Sequence, residues 1–265
     1  MITFENITKY FQDKTILDDV SGHFDRGQVN LVIGTSGAGK SLLIKCIIGL
    51  IQPEAGLVTF DGRSILDASR KTMMHIRREI GILFQSSALF DAKNVEENVV
   101  FPLDMLTSMS VSEKLDRANF CLERVGLKNA NKKMPTELSG GMRKRVGIAR
   151  AIVNSSRYLF CDEPNSGLDP KTALRIDELI KELTYEYNIT TVVVTHDMDS
   201  VVTMGDSILF LDQGRKAWEG NSTSVLQADV EALQDFLLSS KLIQLVKQHA
   251  VTVPNNLNIS PAPCT

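Results

Sequence analysis

The sequence predicts an α/β fold with a mixed, largely parallel β-sheet. Short apolar runs rich in β-branched residues alternate with stretches of helical periodicity, as in chains whose parallel strands are connected by helices. Buried strands are expected at residues 31–33, 80–84, 158–161 and 191–194. Other runs favour antiparallel pairing: residues 2–4 and 57–60 are typical of an antiparallel edge sheet, and residues 208–218 of a hairpin.

Helical patterns cluster in the middle of the chain and at its end. We expect a main domain of residues 1–220 and a C-terminal helical extension of residues 221–265. Within the extension, residues 222–250 are expected to be helical and the polar, proline-broken end to be disordered. Within the main domain, the core regions 1–85 and 156–220 flank an inserted helical subdomain at about 86–155.

Composition and charge exclude several classes of protein. Lys and Arg number 29 against 32 Asp and Glu, a net charge of −3, so the basic excess of a dedicated nucleic-acid binder is missing and no nucleic-acid partner is expected. For the same reason Arg143, Lys144 and Arg150, which fall off the apolar face of a helical pattern at 142–153, are interpreted as a solvated helix face. The sequence shows neither a membrane-spanning run nor a signal peptide, so we expect a cytoplasmic chain.

A glycine-rich loop follows the first buried strand and opens a helix. It matches G-x-x-x-x-G-K-[ST], in which successive backbone N–H groups and the helix N-terminus converge on phosphate oxygens. Its residues are Gly34, Thr35, Ser36, Gly37, Ala38, Gly39, Lys40 and Ser41. In this motif Lys40 reaches the β- and γ-phosphates and the Ser41 hydroxyl binds Mg²⁺. The sequence therefore predicts a nucleotide site on a P-loop NTPase (RecA-like) sheet.

Two carboxylates follow the buried strand at 158–161. Asp162 and Glu163 end an apolar run, where a charge is costly unless it meets a cation. Asp162 fits a Mg²⁺ partner, and Glu163 fits the base that polarises an attacking water. Together with the phosphate loop, the pair indicates hydrolysis of the bound nucleotide.

A second helix end is built for an anion. Leu138, Ser139, Gly140 and Gly141 come directly before the amphipathic helix at 142–153. Because the first loop already holds the only γ-phosphate of its nucleotide, the second helix end should serve a nucleotide bound elsewhere. We expect a homodimer in which two ATP molecules lie between the subunits.

In their order along residues 1–220, these motifs resemble the nucleotide-binding subunit of an ATP-binding-cassette (ABC) transporter. The resemblance implies an ATPase that uses ATP and Mg²⁺ and drives a separate membrane permease. It also implies further site residues. Phe11, with Tyr10 as the alternative, would stack on adenine; Gln85 would contact Mg²⁺ and the attacking water and signal to the membrane subunit; Asp169 would communicate across the dimer in the loop 166–169; and His196 would hold the γ-phosphate.

Two positions depart from the usual family pattern. Met142 stands where glutamine is most frequent, and Asn165 where threonine or serine is common. Residues 83–91, 95–103 and 137–152 resemble the ATPase of Mla-type, MCE-associated phospholipid transporters. That similarity implies a peripheral subunit on the cytoplasmic face of the inner membrane, with permease subunits and a periplasmic MCE-domain lipid-binding protein as partners.

Alternatives stay open at this point. Closely similar strings occur in importers of other hydrophobic solutes. A soluble ABC ATPase of the cluster-assembly or repair type is the second candidate, and a scaffold that only binds ATP is a third, disfavoured by the presence of Asp162, Glu163 and His196. The extension either packs on its own cassette or reaches across the dimer.

Overall fold

Two β-sheets carry the structure, a computed structural model that describes residues 1–238. The strands are β1 (Ile2–Phe11), β2 (Lys14–Phe24), β3 (Val29–Gly34), β4 (Ala55–Phe60), β5 (Arg63–Ser64), β6 (Ile80–Leu83), β7 (Tyr158–Asp162), β8 (Thr190–Val194), β9 (Ser207–Asp212) and β10 (Arg215–Gly220). One sheet has the order β2-β1-β4-β5, and the other β10-β9-β3-β8-β7-β6.

The six-stranded sheet is the mixed sheet that the sequence predicts. Strands β6, β7, β8, β3 and β9 run parallel, and β10 closes the antiparallel hairpin with β9. Every residue of β3 and β8 is buried. Continuous burial of this kind is expected of central parallel strands, because helices or a second sheet cover both faces.

The four-stranded antiparallel sheet contains a strand that the sequence analysis did not predict. Strand β2 pairs with β1, but the register shifts repeatedly between Phe4 and Tyr10. Buried Leu17, Val20 and Phe24 are therefore spaced by three and four residues rather than by two. Bulges of this kind erase the strict alternation from which a strand is recognised.

The helices are α1 (Lys40–Ile47), α2 (Arg70–Arg78), α3 (Val95–Leu106), α4 (Val111–Arg124), α5 (Gly140–Ile152), α6 (Pro170–Glu186), α7 (Met198–Met204) and α8 (Glu231–Leu238). Helices α3, α4 and α5 lie in the segment expected to be helical. Capping boxes begin two of them, Asn94 with Glu97 at α3 and Ser110 with Glu113 at α4. Each box satisfies orphan N–H groups at a helix start. Within residues 1–238, no helix has the length and hydropathy needed to cross a bilayer.

The expectation that residues 222–250 are helical is wrong at the start of that range. A 3₁₀ turn spans Val225–Gln227, and α8 begins only at Glu231. The side chain of Asn221 accepts hydrogen bonds from the N–H groups of Thr223 and Ser224, and this local bonding competes with a helix. Further along, α8 buries Leu233, Phe236 and Leu237 against its own chain. Residues 239–265, including the predicted disordered tail, lie outside the described residues.

The interpretation of α5 as carrying a solvated basic face is confirmed for Arg143, which is exposed, but is wrong for Lys144 and Arg150. Lys144 is only 4% exposed, and its ammonium donates to main-chain oxygens. Arg150 donates to the carbonyl oxygens of Ser87 and Ala88. The loop after β6 wraps over this side of the helix and needs hydrogen-bond donors for its carbonyl groups.

A buried polar cluster joins the loop after β7 to α6 and α7. The amide of Asn165 donates to Asp177 Oδ1 at 2.7 Å and to Ser200 Oγ at 2.9 Å, and Ser200 Oγ donates to Asp177 Oδ2 at 2.7 Å. Burial raises the pKa of Asp177 to about 6, against the lowering effect of these two hydrogen bonds. The departure at position 165 therefore supplies an amide that two helices share.

Asp177 should make stability depend on pH. Its pKa in the folded chain is above the unfolded value of 3.8, so the folded state binds this proton more tightly, and stability falls as pH rises from about 4 to 6. Between pH 7 and pH 5 the wild type should gain about 1 kcal/mol in unfolding free energy relative to Asp177→Asn, which does not titrate. Urea denaturation of both proteins measures the difference. A difference that stays constant with pH would contradict the assignment.

Candidate functional site

A cavity of about 1060 Å³ opens at the carboxyl ends of β3, β7 and β8. This edge of a parallel sheet is where ligands bind in open α/β folds. The cavity is lined by the loop residues Gly34, Thr35, Ser36, Gly37, Gly39, Lys40 and Ser41, by Gln85, Asp162, Glu163 and His196, and by Ile16, Leu42, Asp212, Gln213, Ala232, Asp235 and Phe236. Seven of the eight phosphate-loop residues thus share one cavity with the predicted glutamine, carboxylates and histidine; the eighth, Ala38, is buried beneath the loop.

Glycines permit the bend of the loop between β3 and α1. Gly39 has φ of +100°, and a Cβ there would lie 2.7 Å from the Leu17 side chain. Gly34 is equally confined, because a Cβ would lie 2.2 Å from the carbonyl oxygen of Leu211. Gly39 is also the N-cap of α1 and offers no side-chain cap to its N–H groups. The helix start therefore presents N–H donors to the cavity, as phosphate oxygens require.

Lys40 places a cation at the floor of the cavity. Its Nζ donates to the carbonyl oxygens of Gly34 at 2.8 Å and Thr35 at 2.9 Å. Burial lowers the pKa of Lys40, while the charges of Glu163 and Asp162 oppose that effect. An ammonium held by neutral oxygens gains strength by exchanging them for the charged oxygens of a phosphate.

The metal prediction names Ser41, Gln85 and Asp162, and all three line the cavity. Ser41 Oγ lies 3.3 Å from Asp162 Oδ1. These hard oxygen ligands suit Mg²⁺, which keeps waters and substrate phosphates as its other ligands. Across residues 1–238, no group of three or more His, Cys, Asp and Glu side chains is placed to hold a metal alone. The pair fits a Mg²⁺ ion whose coordination is completed by nucleotide phosphates.

Glu163 and His196 meet at the mouth of the cavity. His196 Nδ1 lies 2.7 Å from Glu163 Oε1, and the side chains are 68% and 16% exposed. Glu163 has φ of +48°, a left-handed conformation that is costly for a residue with a side chain and is typical of functional sites. Its N–H donates to Val194 O, which ties it to the end of β8.

Gln85 completes the group of predicted catalytic side chains. It follows β6, and its Nε2 donates to Ser166 Oγ at 3.2 Å. Its main-chain oxygen accepts a hydrogen bond from Lys144, a residue that sequence reasoning placed in solvent. Gln85 is thereby connected to the loop 166–169 and to α5.

The second helix end lies apart from this cavity. Ser139 caps α5, its Oγ accepting from Met142 N at 3.2 Å, and Leu138, Ser139, Gly140 and Gly141 are absent from the lining described above. Asp169 likewise caps α6, and its hydrogen bonds with Thr172 lower the pKa of its carboxyl. The two caps are neighbours, because a Cβ on Gly141 would lie 2.5 Å from Thr172 Cγ2. The Met142 side chain packs against the hydrophobic core.

Phe11 stands outside the cavity lining. It is 50% exposed at the end of β1, with Lys9 Nζ 5.4 Å from its ring centre, and Tyr10 is 44% exposed. The apolar lining comes instead from Ile16 and from Phe236 on α8. Sequence reasoning identified the hairpin turn at 212–214 but not its place at the cavity. The stacking role of Phe11 stays a prediction.

Comparison with known proteins agrees with this geometry. The family model for ABC transporters matches residues 17–166. The probable ribonucleotide transport ATP-binding protein mkl of Mycobacterium leprae is 37% identical over 236 residues, covering 89% of this chain and 68% of that protein. The methionine import ATP-binding protein MetN of Haemophilus influenzae is 37% identical over 254 residues, covering 94% and 73%. The chain thus spans about two thirds to three quarters of these relatives' lengths.

Two solved structures are similar along most of the chain. The cassette MJ0796, in a dimeric post-hydrolysis state with ADP and Pi, has a TM-score of 0.76 and 33% identity, covering 84% of this chain and 99% of that one. The protein cbiO1 of Clostridium perfringens, part of the cbiONQ transporter complex, has a TM-score of 0.80 and 30% identity, covering 95% and 98%. The predicted fold class is confirmed. The chain belongs to the ABC transporter family, as an ATP-binding subunit that hydrolyses ATP.

Proposed function

We propose that the chain powers phospholipid transport across the cell envelope through a separate permease. The observation that carries the mechanistic part is the single cavity that gathers the phosphate loop, Gln85, Asp162, Glu163 and His196. A bound Mg²⁺ ion would neutralise phosphate charge there.

Each side chain then has a distinct task. Lys40 and the N–H groups at the start of α1 bind phosphate oxygens, while Ser41 and Asp162 hold the metal. Glu163 polarises the attacking water as general base, and Gln85 orients that water. His196, accessible at the mouth of the cavity, binds the γ-phosphate.

A homodimer accounts for the second helix end. Ser139, Gly140 and Gly141 begin α5 outside the cavity, so they are available to a nucleotide held by another subunit. In a two-fold dimer each chain gives its phosphate loop to one ATP and its α5 N-terminus to the other. ATP would close this dimer because ADP lacks the phosphate that the second helix end binds.

The permease and the lipid are inferred more indirectly. Relatives are named for ribonucleotide transport and methionine import, and cbiO1 is part of a transporter complex. The resemblance of residues 83–91, 95–103 and 137–152 to Mla-type ATPases favours phospholipid, with an MCE-domain protein as periplasmic partner. The chain would then sit on the cytoplasmic face of the inner membrane, with residues 1–220 as the cassette and 221–265 as its extension. Import of another hydrophobic solute and a soluble ABC ATPase are the competing functions.

Glu163→Gln should stall hydrolysis after binding. Loss of the general base should lower kcat by at least about 100-fold while ATP still binds and dimer accumulates. Phosphate release and size-exclusion chromatography with ATP measure the two effects. Glu178→Gln, an exposed glutamate on α6, is the matched control and should behave as wild type. Turnover of Glu163→Gln at the wild-type rate would show that the base is another group.

Lys40→Ala should weaken nucleotide binding. Losing a charge-assisted contact to phosphate should lower ATP affinity by about tenfold or more, measured by calorimetry. Lys45→Ala removes an exposed lysine from the same helix and should leave affinity unchanged. Equal affinities for the Lys40→Ala variant and the wild type would refute the phosphate-loop assignment.

Purification from membranes should separate the transport hypotheses. If the proposal holds, a multi-spanning permease co-purifies, and phospholipid stimulates the ATPase activity of the reconstituted complex. Methionine and ribonucleotides other than the substrate ATP do not stimulate it. Stimulation by methionine or a nucleotide instead would assign the solute of the named relatives. Full recovery of the protein without any membrane partner would favour the soluble ATPase.

A further inference from the structure

Lys144 lies between the two loops that carry the proposed water-handling residues. Its Nζ donates to the main-chain oxygen of Gln85 at 2.6 Å and to that of Glu163 at 3.1 Å. The side chain belongs to α5 and is only 4% exposed. The Lys144 ammonium therefore contacts the loop after β6 and the loop after β7, while the backbone of Lys144 belongs to α5.

This contact begins where the sheet ends. Strands β6 and β7 pair up to Leu83 and Cys161, and Gln85 and Glu163 each lie two residues further along. Beyond the last pair, strand hydrogen bonds no longer fix the distance between the chains. Lys144 bridges the two carbonyl oxygens at that point. Its one ammonium group donates to both of them, where hydrogen bonds between the strands have ended.

If Lys144 served only to fill space in the core, burial of its ammonium would be energetically unfavourable. Burial lowers the pKa of Lys144, and the carboxylates of Glu163 and Asp162 oppose that effect. Across residues 1–238 no carboxylate lies within ion-pair distance of its Nζ, so neutral carbonyl oxygens hold the charge. A buried lysine without a carboxylate partner is rare, and an apolar side chain would fill the space at lower cost.

Glu163 gives the contact its importance. Its φ of +48° is a strained conformation that its surroundings must hold. Its N–H donates to Val194 O, and its carbonyl accepts from Lys144 Nζ at 3.1 Å and from Ser166 N at 3.2 Å, so the peptide planes on both sides of the residue are anchored. On the same face of α5, Gly147 permits close approach, because a Cβ there would lie 2.6 Å from Leu83 Cδ1.

We propose that Lys144 is a positioning residue that sets Glu163 and Gln85 in register with α5. The N-terminus of α5 carries Ser139, Gly140 and Gly141, so the side chain connects the helix end offered to the partner's nucleotide with both residues that handle the attacking water. Hydrolysis thereby depends on the position of α5. This inference rests on the proposed roles of Glu163 and Gln85.

Lys144→Met and Lys144→Gln test the inference in the full chain. Methionine removes the charge and all donors, whereas glutamine keeps N–H donors without the charge. We expect Lys144→Met to lower kcat at least tenfold with ATP affinity and KM within threefold of wild type, and Lys144→Gln to retain several times the activity of the methionine variant. Melting temperatures are recorded for both, and Lys144→Gln serves alone if the methionine variant does not fold.

Lys181→Met is the matched control. Lys181 also lies on a helix and donates to a carbonyl oxygen, that of Thr203 at 2.9 Å, but away from the cavity. It should keep the wild-type kcat. Wild-type kcat in Lys144→Met, equal losses in the methionine and glutamine variants, or a loss in KM and affinity rather than kcat would each overturn the positioning role. If Glu163→Gln turns over normally, the proposed function fails first, so the two failures are distinguishable.

Discussion

The acidic pair Asp162 and Glu163 interacts electrostatically with two buried lysines, and this interaction underlies the site. Lys40 belongs to the phosphate loop, and Lys144 belongs to α5, from which its ammonium contacts the main-chain oxygen of Glu163. Burial lowers the pKa of both lysines, and the same two carboxylates counteract it in both. Each lysine is held by main-chain oxygens, but only Lys40 lines the cavity. The Lys40 ammonium thus lies where a phosphate can reach it, whereas the Lys144 ammonium binds only groups inside the protein.

This difference follows from the sheet. At the carboxyl ends of parallel strands, main-chain oxygens leave the ladder and need donors. Near β3 and α1, the Lys40 ammonium and the N–H groups at the helix start face the cavity, where nucleotide phosphates can accept their hydrogen bonds. Between β6 and β7 the side chain of Lys144 on α5 donates to Gln85 O and, together with the N–H of Ser166, to Glu163 O. The satisfaction of carbonyl groups at one edge is therefore common to the proposed binding lysine and the proposed positioning lysine.

The same contrast explains what the sequence could predict. Residues 34–41 and the pair Asp162 and Glu163 were found because backbone geometry demands those residue types in that order next to a strand. The prediction that Lys144 faces solvent is wrong, because a helical pattern assigns every charged residue to the solvent side. It contains no information on the loops that cover the helix. Strand β2 escaped for a related reason, since its bulges break the period of two. The lining by Ile16 and α8 depends on contacts between distant segments, which no local pattern contains.

Relatives named for different solutes are similar in sequence to this chain, and the proposed tasks of the cavity residues offer a reason. Proteins named for ribonucleotide transport and for methionine import are each 37% identical to it. The residues gathered at the cavity are those proposed to bind phosphate, metal and water, none of which differs between solutes. What must differ is the surface that meets the permease, and the family resemblance assigns that coupling to Gln85. Under the proposed roles, Lys144 connects Gln85 to Glu163 and to α5, so a displacement imposed at either end of this contact would reach the proposed general base. Coupling between transport and chemistry would then depend on one buried side chain keeping both of its hydrogen bonds.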